Sequence, residues 1–312
     1  MLSRLVKNIA FLILSLLIIT ACDEELFLAS ADGISVNLRL EYPSQNQSGS
    51  QGLIRYVVRA YPVSNGKVST QCVAAAASSK SVSEGYDQDV TIGLAPGDYK
   101  LMVWSDFVES VESTPFHSVE DFSKITLQGI HSGNNPLREA FRGSCSVTVS
   151  EDSEAGSPLE YNVMMENLLA KFEIVAEDLP DFRRTNPSVD VDELSVVVQY
   201  VGFVPVTYSM FADRAVDSAT GISFASSVIP LNDTEASLGF DYVFANGDDS
   251  AVTVRVGVFD SSGKSLSVSQ PVKVPVRRDE KTVVRGQFLT QEPSGGIFVD
   301  PDYEGDFNLP LH

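Results

Sequence analysis

The chain has 312 residues, of which 42 are acidic and 22 basic, so its formal net charge is −20. This length is enough for two domains with sizeable cores. So negative a chain repels phosphate backbones, which argues against nucleic acid as a partner.

The N-terminus has the pattern of a bacterial secretion signal. Basic residues precede an apolar run from Ile9 to Ile19, which is too short to cross a ~30 Å hydrocarbon core as a lone helix. Ile19-Thr20-Ala21-Cys22 resembles a lipobox. Residues 1–21 are therefore predicted to be a lipoprotein signal peptide, and Cys22 is predicted to carry diacylglycerol on its sulfur.

An acidic cluster, Asp23, Glu24 and Glu25, follows the predicted lipid site. It resembles the surface-export signal with which some Gram-negative anaerobes display lipoproteins outward, and the alternative is a solvated linker. We predict a lipidated acidic linker over residues 22–32 and a lipid-anchored protein of the outer membrane that faces outward. The sequence leaves the inner and outer leaflets of that membrane open.

Two further cysteines, Cys72 and Cys145, belong to a chain bound for an oxidising compartment. They could form one disulfide. Each lies near apolar or small residues, so two buried free thiols are an equal alternative.

Strand patterns begin at Ile34, where apolar and polar residues alternate up to Glu41. Asn65-Gly66 predicts a tight hairpin whose returning strand runs from Val68 to Val73, and Pro96-Gly97 predicts a second hairpin. The alternation fails over 105–142, and long loops of this kind are often functional. Residues 33–166 are predicted to form an N-terminal β-sandwich domain.

Residues 167–312 are predicted to form a C-terminal β-sandwich domain. A loop is expected over 202–221, and Asn246-Gly247 predicts a hairpin between the strands Leu238–Phe244 and Val252–Val258. No helical pattern longer than about three turns follows the signal peptide. The chain is thus expected to be all-β, with two tandem antiparallel β-sandwiches.

Several motifs from about residue 89 to the end resemble the fimbrillin-like outer-membrane lipoproteins of Gram-negative anaerobes, of the fimbrial anchor or accessory type, and most closely an uncharacterised branch of them. They are Leu94-Ala95-Pro96-Gly97-Asp98-Tyr99, Val103-Trp104-Ser105-Asp106, Leu169-Ala170-Lys171-Phe172-Glu173, Tyr200-Val201-Gly202-Phe203, Met210-Phe211, Val274-Pro275-Val276-Arg277-Arg278, Thr282-Val283-Val284-Arg285-Gly286, Ser294-Gly295-Gly296 and Gly305-Asp306-Phe307-Asn308.

The resemblance implies transthyretin-like sandwich domains and assembly by strand addition, in which a segment of one subunit completes the sheet of a neighbour. In stalk subunits of this family a protease cuts at an arginine in an early strand, and Arg39, Arg55 and Arg59 all occupy such places. Anchor-type relatives keep their lipidated N-terminus. The sequence leaves the roles of anchor, stalk and tip open.

Residues that could carry catalysis are scattered. The histidines His117, His131 and His312 are far apart, and no nucleophile elbow or nucleotide-binding loop occurs. Residues 300–306 imitate the start of a calcium loop, but Leu311 occupies the position that requires a bidentate glutamate. We therefore expect no enzyme, no metal and no cofactor.

The leading prediction is a structural or adhesive surface protein, a fimbrial subunit or anchor, whose partners are the membrane, other subunits and a host protein or glycan. The first alternative is a glycan-binding lipoprotein of a polysaccharide uptake system, in which Trp104 and Phe203 form an exposed stacking platform. The second alternative is a glycosidase with two carboxylates in a cleft.

Overall fold

A computed structural model describes residues 33–42, 52–129, 131–152, 157–246, 250–291 and 309–310. Strands dominate these residues, which confirms the all-β prediction. The strands of the N-terminal half (residues 33–167) are β1 (Ile34–Glu41), β2 (Leu53–Ser64), β3 (Lys67–Val68), β4 (Ala74–Ser81), β5 (Gln88–Leu94), β6 (Gly97–Val108), β7 (His117–Ser118), β8 (Ile125–Leu127), β9 (Ala140–Val149), β10 (Leu159–Met164) and β11 (Glu166–Asn167).

Two sheets face each other in the N-terminal half. One has the order β10-β1-β5, and the other has the order β11-β9-β6-β2, with β3 and β4 both paired to β2. The apolar side chains of β1, Val36, Leu38 and Leu40, are fully buried between the sheets, as the alternation predicts. β1 is antiparallel to β5 but parallel to β10, a pairing that the alternation does not reveal.

In this half the predicted hairpin at Asn65-Gly66 is confirmed, whereas the predicted hairpin at Pro96-Gly97 and one predicted strand are wrong. β5 pairs with β1, and β6 pairs with β2 and β9, so at Pro96-Gly97 the chain crosses from one sheet to the other. Asn65 and Gly66 have φ angles of 52° and 73°, as a two-residue hairpin requires. The returning strand is only Lys67–Val68, and the chain pairs with β2 again at Ala74–Ser81. The polar and alanine-rich composition of that second segment has low β-propensity, so its pattern does not predict a strand.

The elements of the C-terminal half (residues 168–291 with 309–310) are β12 (Leu169–Ala176), α1 (Leu179–Thr185), β13 (Ser195–Tyr200), β14 (Val204–Ser209), β15 (Arg214–Ala219), β16 (Ser223–Ser227), β17 (Ile229–Pro230), β18 (Ala236–Phe244), β19 (Ala251–Phe259), β20 (Ser265–Val268), β21 (Val272–Pro275), β22 (Glu280–Gly286) and β23 (Leu309–Pro310). They form two facing sheets, of order β17-β18-β12-β22-β23 and β16-β13-β19-β20, with β21 also paired to β19. Short 3₁₀ helices span Val82–Glu84, Pro136–Arg138 and Val191–Glu193.

Two predictions for this half are wrong. β18 and β19 do not form a hairpin across Asn246, because β18 pairs with β12 and β17 whereas β19 pairs with β13, β20 and β21. The expected loop over 202–221 contains the antiparallel pair β14–β15. The side chains of β15 are mostly exposed and show no buried face, so alternation is absent there.

The two halves share a third sheet and a third core. The sheet has the order β15-β14-β8-β7, so strands from the long excursion of the N-terminal half pair with strands of the C-terminal half. Side chains from both halves, among them Trp104, Phe122 and Phe244, form the third apolar cluster. The division into domains at residue 167 stays a prediction. No helix among the described residues is long and apolar enough to cross a membrane.

Candidate functional site

The predicted lipid site and export signal, Cys22 with Asp23, Glu24 and Glu25, lie outside the described residues, as do residues 1–32 as a whole. The two other cysteines are free thiols in the structure. Cys72 packs against the third cluster and Cys145 against the N-terminal core, where burial raises the pKa of its thiol.

The predicted aromatic platform does not form. Trp104 is fully buried, with its ring centroid 5.2 Å from that of His117, so no ligand can stack on it. Phe203 is 75% exposed in the turn between β13 and β14. The two residues therefore share no surface, and Trp104, inside β6, has a packing role.

The first buried charged group is Asp106 on β6, which has both its partners within the N-terminal half. Its two oxygens each accept a hydrogen bond of 2.8 Å from the Arg55 guanidinium, and the Nδ1 atom of His117 lies 3.2 Å away. Burial alone would raise the pKa of Asp106, but the hydrogen bonds and charge of its two partners outweigh burial and lower it. Burial lowers the pKa of His117, which favours the neutral imidazole.

The second buried group is Asp241 on β18, which is fully buried. It accepts a hydrogen bond from Arg138 and a 2.5 Å hydrogen bond from the Tyr200 hydroxyl, and the Nε2 atom of His131 lies 2.5 Å from its carboxylate. Arg138 and His131 come from the N-terminal half, whereas Tyr200 and Asp241 come from the C-terminal half. This pair of charges therefore ties the halves together.

The segment before Arg138 fits closely against the C-terminal half. A Cβ atom at Gly133 would lie 2.3 Å from the Phe224 ring, so only glycine allows this approach. Asn134, with φ of 56°, exchanges hydrogen bonds with the main chain of Phe240. The long excursion thus joins the two halves, and the residues of the joint become recognisable only when the fold brings them together.

A third buried polar group, Glu139, leads to a prediction about the pH dependence of stability. Glu139 is 5% exposed and accepts a 2.6 Å hydrogen bond from the Asn167 amide. Burial raises its pKa to about 7, although Asn167 and Lys171 act in the opposite direction, and the nearby Asp279 adds to the rise. The folded protein therefore holds Glu139 protonated at mildly acidic pH.

We expect Glu139→Gln to remove a pH dependence of stability. The contribution of the protonated carboxyl is complete below its ordinary pKa of 4.5 and is lost as the pH rises through about 7. At pH 4.5, urea unfolding should give nearly the same free energy of unfolding for the two proteins. At pH 8 the free energy of unfolding of the variant should exceed that of the native protein by up to about 3 kcal/mol. Parallel pH profiles of the two proteins would contradict this assignment.

The described sheet edges are the places where another chain could add a strand. The outer edge of β22 is paired with β23 only through Glu280 and Lys281. The buried carboxylate of Asp178 accepts hydrogen bonds from the main-chain N–H groups of residues 288–290, which follow β22, and thus fixes the point at which the chain leaves the sheet. The sequence pattern predicts neither the open edge of β22 nor this carboxylate.

These observations define a class of protein: an all-β chain of facing sheets whose halves are joined by a buried ion pair and whose described sheet edges are partly open. The profile described as "Family of unknown function (DUF6562)" matches residues 29–311, and the chain belongs to this family. No curated protein matches the sequence.

The chain is similar to several solved structures. An inferred cell adhesion protein from Bacteroides eggerthii matches with 13% identity and a TM-score of 0.46, over 86% of this chain and 93% of that one. The fimbrial anchor protein Mfa2 from Porphyromonas gingivalis matches with 9% identity and a TM-score of 0.41, over 80% and 90%. A fimbrial assembly protein from Parabacteroides distasonis matches with 12% identity and a TM-score of 0.42, over 81% and 91%.

Proteins of the group that the sequence motifs resemble are thus among the matches, and the family itself is one of unknown function, as an uncharacterised branch would be.

Proposed function

We propose that this protein is a lipid-anchored surface protein that assembles with other protein subunits by strand addition, as a fimbrial subunit or anchor does. The signal peptide and the lipobox that ends at Cys22 support the membrane anchor. The acidic residues Asp23, Glu24 and Glu25 support export to the outer face of the outer membrane.

The observation that carries the assembly role is the open edge of β22. Val283 and Val284 are buried and β12 pairs with one side of the strand, while among the described residues β23 covers only the first two positions of the other side. Natural proteins usually protect such edges, because an exposed row of main-chain N–H and C=O groups invites another strand. Strand addition would use this edge for assembly.

The early arginines differ in their availability to a protease. Arg55 is held by Asp106, and the Arg59 guanidinium lies 5.3 Å from the centroid of the Phe122 ring. The side chain of Arg39 on β1 is 65% exposed. If subunits of this kind are processed at an early arginine, we favour Arg39.

Cross-linking in cells tests the assembly role. A photoreactive residue in place of Arg285, an exposed position on β22, should form covalent adducts with other surface proteins. The control position is Arg184 on α1, which is also exposed and also paired with a carboxylate. Adducts at 285 with few at 184 are expected. Equal adduct formation at the two positions, or none at 285, would count against assembly at this edge.

Neither alternative function gains support from the geometry. A glycan platform would need Trp104 at the surface, and this residue is buried. The buried carboxylates Asp106 and Asp241 are each engaged by an arginine, so neither is placed as a general acid in an open cleft.

A further inference from the structure

A cleft of about 420 Å³ lies where the turn after β14 meets the outer face of β6 and β9. Lys100 and Met102 of β6 line one side, and Met210 and Asp213 of the C-terminal half line the other. A cleft of this size can hold one or two side chains of a ligand.

One cation in the cleft has no carboxylate partner among the described residues. The Arg142 guanidinium is 2.7 Å from Asp213 and 3.3 Å from Glu166, and Arg278 also contacts Asp213 at 2.9 Å. Two arginines and two carboxylates thus balance each other. Lys100 is half-buried and has no carboxylate within ion-pair distance among the described residues. In a chain with a net charge of −20, an uncompensated ammonium in a cleft favours an anionic ligand group.

The apolar part of the cleft consists of methionines. Met102, Met164 and Met210 line it, and no aromatic ring does so among the described residues. Methionine is flexible and polarizable, which suits variable protein side chains, whereas sugar rings usually stack on aromatic residues. The lining therefore favours a peptide over a sugar acid.

The outer wall of the cleft depends on a glycine. A Cβ atom at Gly143 would lie 2.6 Å from Val163 and 2.7 Å from the sulfur of Met165, so only glycine lets the end of β10 and Met165 lie against β9. This approach places Met164, 58% exposed, and Glu166 beside Arg142. The cleft is thus built by local sequence, from β6, β9 and the segment that crosses between the sheets.

The edge of β9 next to the cleft is also open. β11 pairs with β9 only at Phe141 and Arg142, and no described strand pairs with that side of residues 144–149. An extended peptide could form main-chain hydrogen bonds there while one of its side chains enters the cleft.

We propose that this cleft binds an extended segment of another protein that carries an acidic side chain beside an apolar one, with the acidic group on Lys100 and the apolar group among the three methionines. The proposal deepens the assembly role and rests on it for the class of partner. It adds a second contact, separate from the edge of β22.

Methyl NMR of the full chain in detergent, labelled at the methionine methyl groups, tests the proposal. The chain has five methionines, and Met1 belongs to the predicted signal peptide. The probe is an acetylated hexapeptide of alternating threonine and leucine with one central glutamate. It should shift the signals of Met102, Met164 and Met210 but not that of Met165, which is fully buried in the N-terminal core.

Charge variants give the decisive comparison. The twin peptide with glutamine should bind about tenfold more weakly, and Lys100→Met should weaken binding of the glutamate peptide by about the same factor. Lys100→Arg should keep it, and so should Lys67→Met, which alters a lysine on exposed β3. Equal affinity for the two peptides, unchanged binding by Lys100→Met, no methyl shifts, or shifts with glucuronate alone would each overturn the proposal. Cross-linking at residue 285 reports on assembly at β22 independently of all these outcomes.

Discussion

Cys22→Ser should abolish attachment of the protein to lipid. The serine hydroxyl is a far weaker nucleophile than a thiolate and cannot take the diacylglycerol, and a stable membrane attachment requires such acyl chains. Cells grown with radiolabelled palmitate should label the native protein, while the variant carries no label and its N-terminal region is not processed before residue 22.

Cys72→Ser is the matched control, since Cys72 is a free thiol far along the chain from the lipobox. This variant should keep the label and stay in the outer-membrane fraction. If the label persists in Cys22→Ser, or if the native protein carries no label, the prediction of lipid attachment at Cys22 is wrong.

Asp241→Ala should destabilise the protein by about 3–5 kcal/mol, because it leaves Arg138 buried without its counter-ion. Arg138 is 3% exposed and Asp241 is fully buried, so water cannot replace the lost partner. A loss of this size is a large part of the stability of an ordinary domain. Urea unfolding with and without the substitution measures it.

Two further variants separate a buried pair from a surface pair. Asp181→Ala breaks the exposed pair with Arg184 on α1, and it should cost less than about 1 kcal/mol. Replacing both buried partners, as in Arg138→Met with Asp241→Leu, should be less destabilising than Asp241→Ala, because no charge is left unpaired. If Asp241→Ala unfolds like the native protein, the joint does not depend on this ion pair.

The parts of the fold that the sequence predicts are those governed by local rules. The alternation in β1 follows from one buried and one exposed face. The hairpin at Asn65-Gly66 follows from two positive φ angles that few other residues adopt. Such features depend on neighbours in the chain, so the residues themselves carry the information.

Which strands pair with each other is harder to predict from the sequence. β18 and β19 are close in sequence and both alternate, yet they belong to opposite sheets, and nothing in a turn motif distinguishes a hairpin from a connection across a sandwich. The same holds for β15, whose exposed strand is stabilised by its pairing with β14 rather than by its own propensity.

The buried polar groups are the least predictable from sequence. Arg138 and Asp241 are 103 residues apart, and Arg55 and Asp106 are 51 apart. A charged residue ordinarily indicates a solvated surface. Only the tertiary structure reveals that these charges are buried and paired.

Intact-mass analysis of the mature N-terminal peptide, isolated from the native host, tests the central claim most directly. We predict a peptide that begins at Cys22 and carries the added mass of diacylglycerol on its sulfur. A mature N-terminus at another residue, or a Cys22 without acyl chains, would contradict the account of a lipid-anchored surface protein.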